Sequence, residues 1–351
     1  MSPRSSASPL DTLLPSLSEA YGPPGRETGI RRALGGAIRG LGSAKEDALG
    51  NLNLSLGGKG KRVLLTAHMD APGIIVTRVD PAGLARVSIL GIVSAADLIG
   101  ASVALNGGGA RGVIGWDRPK DGKDSREIDP DQLFLETGLG GREAAKRIAV
   151  GEVGALADRA ERIGELWCGS NLDNRAGCAA IVAALKGSGS PRRKAAGSPR
   201  NELHVVFSAQ SDLGARGAAT SAFGIAPDVA VVVDVAFVGE SRGHGDIALG
   251  KGPCVGLKEE GYLPHPLALE YVKRAAKAAR IQPQWLIRES GGSDARTVRA
   301  SRAGVPTALV AIPARRTGGP RTLIHAADLE QTVQLIRQIV TTPYTREKGS
   351  R

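Results

Sequence analysis

Residues 63–70 read VLLTAHMD, a short apolar run that ends in His68 and Asp70. The run is rich in Val and Leu and is flanked by charged residues, which is the pattern of a strand buried inside a sheet. A histidine and a carboxylate just beyond such a strand lie where an open α/β sheet binds its ligands. This stretch therefore predicts both a fold class and the place of a site.

The same pattern occurs twice more along the chain. LHVVFSAQSD (203–212) runs from apolar residues into Ser211 and Asp212, and VAVVVD (229–234) ends in Asp234. Because parallel strands bring their carboxyl ends to one edge of a sheet, we expect these polar side chains to lie close together.

The order of predicted elements defines the fold. Strands and helices alternate after residue 165, which predicts an α/β fold with a mostly parallel sheet flanked by helices. Residues 73–164 instead hold short alternating segments separated by Gly and Asp-Pro turns, as in a small β-barrel. We expect an α/β domain of residues 1–72 and 165–351, interrupted by this inserted barrel. The basic, Gly/Ser/Pro-rich stretch 187–200 is expected to be a disordered loop.

Asp173, in GSNLDNRAG, opens a predicted helix and completes a set of metal-type side chains. The candidate ligands are His68, Asp173, Asp212 and Asp234. A histidine with carboxylates suits zinc, and also cobalt or manganese. Asp173 is placed to bridge two ions, and Asp70 to hold the ring of His68 in one tautomer. Taken singly, each of these residues also has an ordinary structural explanation. Asp173, for example, would serve as a helix N-cap.

Composition narrows the functional classes. The chain has 351 residues, a net charge of +11 and 42% hydrophobic residues, as expected for a globular protein. No apolar run reaches the ~18 residues needed to cross a bilayer, and we find no secretory signal pattern. Three cysteines without metal-type spacing fit a reducing cytoplasm. Specific nucleic-acid binding is not expected, and a weak attraction to polyanions remains open.

Further short motifs extend along nearly the whole chain. In order they are YGPPGRE (21–27), DALGNL (47–52), TAHMD (66–70), RGVIG (111–115), DQLFLETGL (131–139), LDNRAGCAA (172–180), QSDLGARGA (210–218), PDVAVVVDV (227–235), GKGP (250–253), GGSDA (291–295) and GVPTALVAIPAR (304–315). Their order and spacing resemble those of the zinc aminopeptidase family that includes the tetrahedral, deblocking and glutamyl aminopeptidases.

The resemblance implies a role for individual residues. In that family one metal ion is bound by a histidine, a bridging aspartate and a later aspartate, which correspond to His68, Asp173 and Asp234. Three protein ligands and an open position are the count of a catalytic zinc. We therefore expect one firmly bound zinc or cobalt ion per chain.

The second metal position of the family matches less well. Its carboxylate ligand corresponds to Asp212, and the place of its late histidine falls on Gly318. The general-base glutamate falls on Ser211, whose neutral hydroxyl cannot accept a proton near pH 7 as a carboxylate does. The loss of a positioned base costs ~10²–10⁴-fold in rate. We expect the second ion to be weak or absent and the activity to be reduced or altered, with His244 and His325 open as substitute ligands.

The resemblance also implies surroundings for the site. Gly292, Ser293 and Asp294 of GGSDA either line a substrate cleft or cap the helix that follows. The inserted domain mediates assembly in the family, which implies a homo-oligomer. The expected function is a metal-dependent aminopeptidase-type hydrolase that acts on peptide N-termini in the cytoplasm, with Asp212 as base if only one ion binds. The alternative is a non-catalytic homologue that binds peptides or serves assembly.

Overall fold

The computed structural model describes residues 8–118, 128–187, 201–239, 247–316 and 319–345. The helices are α1 (Pro9–Glu19), α2 (Thr28–Ala37), α3 (Ala95–Leu98), α4 (Gly141–Arg147), α5 (Leu172–Gly187), α6 (Arg216–Ile225), α7 (Pro266–Ala279), α8 (Ala295–Arg299) and α9 (Ala326–Thr341). The strands of the main sheet are β1 (Ser43–Glu46), β2 (Leu52–Gly57), β3 (Arg62–His68), β10 (Glu161–Ile163), β11 (Leu166–Gly169), β12 (Glu202–Ser208), β13 (Val229–Phe237), β14 (Cys254–Lys258), β15 (Gln284–Ile287), β16 (Thr307–Arg315) and β17 (Thr322–His325).

The centre of the main sheet is parallel. Strands β12, β3, β13 and β16 are neighbours in that order, and each pairs in parallel with the next. The outer strands β1, β2, β17, β11 and β10 pair antiparallel, so the sheet as a whole is mixed. The predicted α/β fold with flanking helices is confirmed. Strand β2 was predicted from LNLSLG, but the outer strands β1, β10, β11 and β17 were not, because runs of three or four residues carry little periodicity.

Each central strand is apolar on both faces, because helices cover both sides of the sheet. Val63 and Leu65 of β3 pack into one hydrophobic cluster, and Leu64 between them packs into a second one on the opposite face. The first cluster includes residues of α1, α5, α7 and α9, and the second includes residues of α6 and α8. Two-sided burial explains why these strands appear as continuous Val/Leu runs in the sequence.

The predicted inserted barrel is also present. Strands β4 (Gly73–Val79), β5 (Ala85–Leu90), β6 (Ser102–Leu105), β7 (Arg111–Trp116), β8 (Leu133–Glu136) and β9 (Val153–Leu156) close in the order β4-β5-β8-β7-β6-β9. All of its strand pairs are antiparallel, and alternate residues fill a separate apolar core. Because β4 begins five residues after His68, one end of the barrel lies next to the edge of the sheet at which β3 ends.

Some sequence predictions fall on residues without a description. These residues include Gly318, His244 and positions 188–200 of the basic stretch. The first residue of that stretch, Gly187, is described and is the last residue of α5. Within the described ranges, no helix is long and apolar enough to cross a membrane.

Candidate metal centre

Strand register brings His68 and Asp234 together. His68 ends β3, and the last β3–β13 pair is Thr66 with Val232. Two further residues on each parallel strand place Asp234 beside His68. Strand β13 continues to Phe237 through its pairing with β16, so Asp234 lies inside a strand that the sequence predicted to end there.

Asp173 reaches the same place from the kinked start of α5. Asp173 and Asn174 have non-helical backbone angles, and the peptide bond between them is cis. The side-chain oxygen of Asn174 accepts the N–H of Gly177 (3.1 Å), and its amide donates to the carbonyl of Val233 (2.8 Å). Asn174 is therefore the helix cap. The alternative in which the Asp173 carboxylate merely caps the helix is wrong, and that carboxylate is left to face the site.

Three of the four predicted ligands form one cluster. The Nε2 atom of His68 lies 3.5 Å from Oδ1 of Asp173 and 3.6 Å from Oδ1 of Asp234. One ligand atom from each of these residues lies within 4.8 Å of the others. Burial opposes protonation of His68, but the surrounding carboxylates outweigh it and raise the pKa of this histidine well above its usual value. Burial raises the pKa of Asp234 to about 6.

Asp70 supports this cluster from behind. It is fully buried, and Nδ1 of His68 lies 3.2 Å from its backbone oxygen and 3.5 Å from its carboxylate. The two carboxylate oxygens accept the backbone N–H groups of Ser211 and Asp212, each at 3.0 Å. Burial raises the pKa of Asp70, yet His68 and these N–H donors outweigh it and hold the pKa below its usual value. Asp70 thus joins the loop after β3 to the loop after β12.

Asp212 lies at the edge of the cavity and outside the three-residue cluster. Its Oδ2 atom is shielded from solvent and has no hydrogen-bond partner in the described structure. Burial, followed by the nearby charge of Asp70, raises the pKa of Asp212 well above its usual value. Gly91 packs against it from the barrel side: a Cβ atom there would lie 2.8 Å from the same Oδ2.

The GGSDA segment divides its residues between the cavity and the protein interior. Gly292 and Ser293 line the cavity, whereas Asp294 is 1% exposed. Asp294 makes no side-chain cap on α8, so the capping alternative does not hold for it. Its carboxylate accepts hydroxyl hydrogen bonds from Ser208 and Ser211, both at 2.7 Å.

A cavity of about 250 Å³ opens over the cluster. Its lining residues are His68, Pro72, Ile92, Asp173, Ser211, Asp212, Ala215, Asp234, Val235, Arg288, Gly291, Gly292, Ser293 and Arg296. Acidic groups surround its floor, and two guanidinium groups lie at its wall. Arg288 is paired with the buried Glu259, while the exposed Arg296 has no acidic partner among the described residues. The lining of the cavity therefore combines a group of acidic side chains with two arginines.

His325 does not join the cluster. Its Nδ1 atom accepts the backbone N–H of Ala327 at the start of α9, and its Nε2 atom lies 3.4 Å from Glu165. Sequence reasoning missed Asn174, Arg288 and Arg296. Asn174 carries a local signal, an Asn three residues before Gly177, but the two arginines approach the site only through the tertiary fold.

The mixed sheet flanked by helices, the inserted barrel and the His/Asp/Asp cluster define an α/β fold of the metallopeptidase type. The family model of the M42 glutamyl aminopeptidases matches residues 50–335, and the chain belongs to this family. Lysyl aminopeptidase of Pyrococcus furiosus is 28% identical over 344 residues, which are 93% of this chain and 96% of that protein.

Solved structures agree with this assignment. The TET aminopeptidase of a marine sediment Thaumarchaeota archaeon superposes with a TM-score of 0.87 at 25% identity, covering 94% of this chain and 96% of that one. The TET1 peptidase of Pyrococcus horikoshii, which can assemble into a tetrahedron or a large octahedral shell, gives 0.82 at 25% identity and covers 93% and 97%.

Proposed function

We propose that this protein is a metal-dependent aminopeptidase-type hydrolase that acts on the free N-termini of peptides in the cytoplasm. The observation that carries the proposal is the cluster of His68, Asp173 and Asp234 on the floor of an open cavity. Family membership supports the reaction class. Three buried free cysteines fit the reducing compartment.

The donor set fits one zinc or cobalt ion. Ligands of a tetrahedral zinc with bonds near 2.0–2.1 Å lie about 3.3 Å apart. The separations of 3.5 and 3.6 Å from His68 to Asp173 and Asp234 are close to that value. Several carboxylates gathered in a shielded site repel one another, so a cation also stabilises the folded arrangement. We propose one firmly bound ion per chain.

A bound ion supplies a Lewis acid that polarises the scissile carbonyl and lowers the pKa of water. Asp70 holds His68 in one ring orientation, since its backbone oxygen lies 3.2 Å from Nδ1. Arg296 and Arg288 orient substrate from the cavity wall. A second ion would have Asp212 and the shared Asp173 as its protein ligands, and two such ligands are too few for tight binding.

We further propose that hydrolysis is slow relative to relatives with a carboxylate base. Ser211 lines the cavity where the resemblance places that base. A hydroxyl cannot take a proton on its own near pH 7, and a missing base costs ~10²–10⁴-fold. Slow turnover, rather than loss of the metal, is the expected result of this substitution.

A homo-oligomer is part of the same proposal. The similar TET1 peptidase of Pyrococcus horikoshii assembles into a tetrahedron or a large octahedral shell. Strand β15 pairs only with β14 among the described strands, and it exposes Trp285 (45%) and Ile287 (53%). An exposed strand edge with apolar side chains offers a surface for pairing with another chain. Light scattering coupled to size exclusion measures the subunit number, and a monomer would contradict this part.

The central experiment measures metal content and hydrolysis together. The protein is treated with chelator, reloaded with zinc or cobalt, and analysed for bound ions by mass spectrometry. Hydrolysis is assayed on a panel of aminoacyl-anilides and dipeptides. We expect about one tight ion per chain and slow turnover that chelation removes, with both lost in Asp173→Ala. No bound ion and no turnover with either metal would overturn the proposal.

A further inference from the structure

Ser211 connects the cavity to a buried carboxylate. Its hydroxyl donates to Oδ1 of Asp294 at 2.7 Å, and Ser211 itself lines the cavity wall. Asp294 is 1% exposed and is not part of the lining. Among the described residues, Ser211 thus links the cavity to Asp294.

The Asp294 carboxylate is fixed but not neutralised. Its other oxygen accepts the hydroxyl of Ser208 at 2.7 Å, and no basic side chain pairs with it in the described structure. Burial raises the pKa of Asp294 above its usual value. Burial of this carboxylate therefore favours its uptake of a proton, against the opposing effect of the two hydroxyl hydrogen bonds.

We propose that Ser211 and Asp294 form a two-step proton relay that replaces the missing carboxylate base. This inference rests on the proposed hydrolase function. Ser211 is the catalytic residue, since it touches the attacking water, and Asp294 acts through Ser211 as a positioning residue and proton acceptor. Direct contact of Asp294 with substrate is excluded by its burial.

The proton balance of the step is complete. Water gives a proton to Oγ of Ser211 while the Ser211 hydroxyl passes its own proton to Asp294, and the water oxygen bonds to the carbonyl carbon. When the C–N bond breaks, the proton returns from Asp294 through Ser211 to the leaving amine nitrogen. Both residues end in their starting state, and no further reactant is needed.

The structure offers a matched control. Ser208 and Ser211 make hydrogen bonds of the same length to the two oxygens of one carboxylate, but Ser208 is fully buried and does not line the cavity. Removal of either hydroxyl takes one hydrogen bond from Asp294, and in Ser208→Ala the bond from Ser211 remains. Only removal of Ser211 breaks the path from the cavity, so the pair separates a relay from simple support.

The test uses zinc-loaded, full-length protein with the best substrate of the panel. We expect Ser211→Ala to lower kcat by about 100-fold with little change in KM, and Ser211→Thr, which keeps a hydroxyl, to restore most of it. Asp294→Asn should match Ser211→Ala, whereas Ser208→Ala should stay within about threefold of wild type. Zinc affinity measured by calorimetry should be unchanged in Ser211→Ala, because neither relay residue belongs to the cluster of His68, Asp173 and Asp234.

Each outcome bears on a different statement. Three results would overturn the relay and leave the hydrolase function in place. They are an equal kcat in wild type and Ser211→Ala, a loss of kcat in Ser208→Ala equal to that in Ser211→Ala, and weakened zinc binding in Ser211→Ala. An acyl adduct on Ser211 by mass spectrometry would also overturn it, since Ser211 would then be a nucleophile. A wild-type protein without turnover would overturn the function and the relay together. If Asp294→Asn fails to fold, the Ser211 variants decide alone.

Discussion

The side-chain amide of Asn174 donates a 2.8 Å hydrogen bond to the backbone carbonyl of Val233. This bond ties the turn that carries Asp173 to the strand that carries Asp234, so one side chain aligns two proposed ligands. Asn174→Ala removes the bond and the helix cap. We expect a loss of about 3 kcal/mol in the free energy of unfolding, measured by urea denaturation, and zinc binding at least ~10-fold weaker by calorimetry.

Asn201 provides the control for this variant. It is also buried, donates to the carbonyl of Thr342 (2.8 Å) and accepts the N–H of Tyr344 (2.9 Å), but it does not line the cavity. Asn201→Ala should lose comparable stability and keep its zinc affinity. If both variants lose zinc equally, alignment by Asn174 is the wrong explanation.

Asp70→Asn tests the support behind His68. The two oxygens of Asp70 accept the N–H groups of Ser211 and Asp212 at 3.0 Å, and an amide offers only one acceptor. We expect zinc affinity to fall by about 10–100-fold, because the Asp70 carboxylate lies 3.5 Å from Nδ1 of His68 and contributes to the orientation of that ring. Competition with a chromophoric chelator measures this affinity.

Asp328 is the matched carboxylate. It is buried and also accepts two backbone N–H groups, those of Gly250 and Gly252, both at 2.7 Å. Asp328→Asn should lower stability and leave zinc affinity unchanged. A normal zinc affinity in Asp70→Asn would show that His68 does not depend on this carboxylate.

The sequence predicted the parts of the site that depend on strand pattern. Apolar runs followed by His68 and Asp212 identify strand ends directly, and the Ala-rich stretch after Asp173 was correctly predicted as a helix, which is buried from Asn174 to Leu185. The end of a strand is harder to predict from sequence than its core. Strand β13 continues past Asp234 because β16 supplies hydrogen bonds, and the local sequence gives no signal of this pairing. The prediction that Asp212 binds a second ion stays a prediction, because Asp212 lines the same cavity but is not one of the three clustered residues.

The two arginines show a second limit of the sequence. Arg288 follows the edge strand β15, and Arg296 lies in the short helix α8, where exposed cations are common. Nothing in their local pattern distinguishes them from other surface arginines. They become neighbours of the cavity only because α8 and the segment before it fold over the strand ends.

Arg296 should influence which N-terminal residue is accepted. It lines the cavity and has no acidic partner among the described residues, so it favours substrates with an acidic side chain. We expect Arg296→Glu to lower kcat/KM for a glutamyl substrate relative to a lysyl one by about five-fold or more, the effect of roughly 1 kcal/mol for an exposed charge.

Arg299 lies one helical turn away, is exposed and does not line this cavity. Arg299→Glu changes the net charge equally and should leave the glutamyl-to-lysyl ratio near its wild-type value. An equal change in both variants would show a general effect of net charge, and no change in either would remove Arg296 from substrate selection.

Stability at alkaline pH should depend on Cys254. Burial raises the pKa of this thiol to about 12 in the folded protein, whereas an unfolded cysteine ionises near pH 8.5. Above the unfolded pKa the folded state binds more protons than the unfolded state, so stability falls as pH rises from about 9 towards 12. Each such thiol contributes a slope of about 1.4 kcal/mol per pH unit.

Urea denaturation of wild type and Cys254→Ala between about pH 9 and pH 10.5 measures this slope. The variant loses some stability at all pH values, because a buried side chain becomes smaller. The slope of its free energy of unfolding against pH should nevertheless be less steep by the contribution of about one proton, since one titrating thiol is gone. The buried thiol of Cys178, whose pKa is also raised to about 12 by burial, keeps part of the slope in the variant. Parallel pH dependences for the two proteins would mean that Cys254 ionises in the folded state as readily as in the unfolded one.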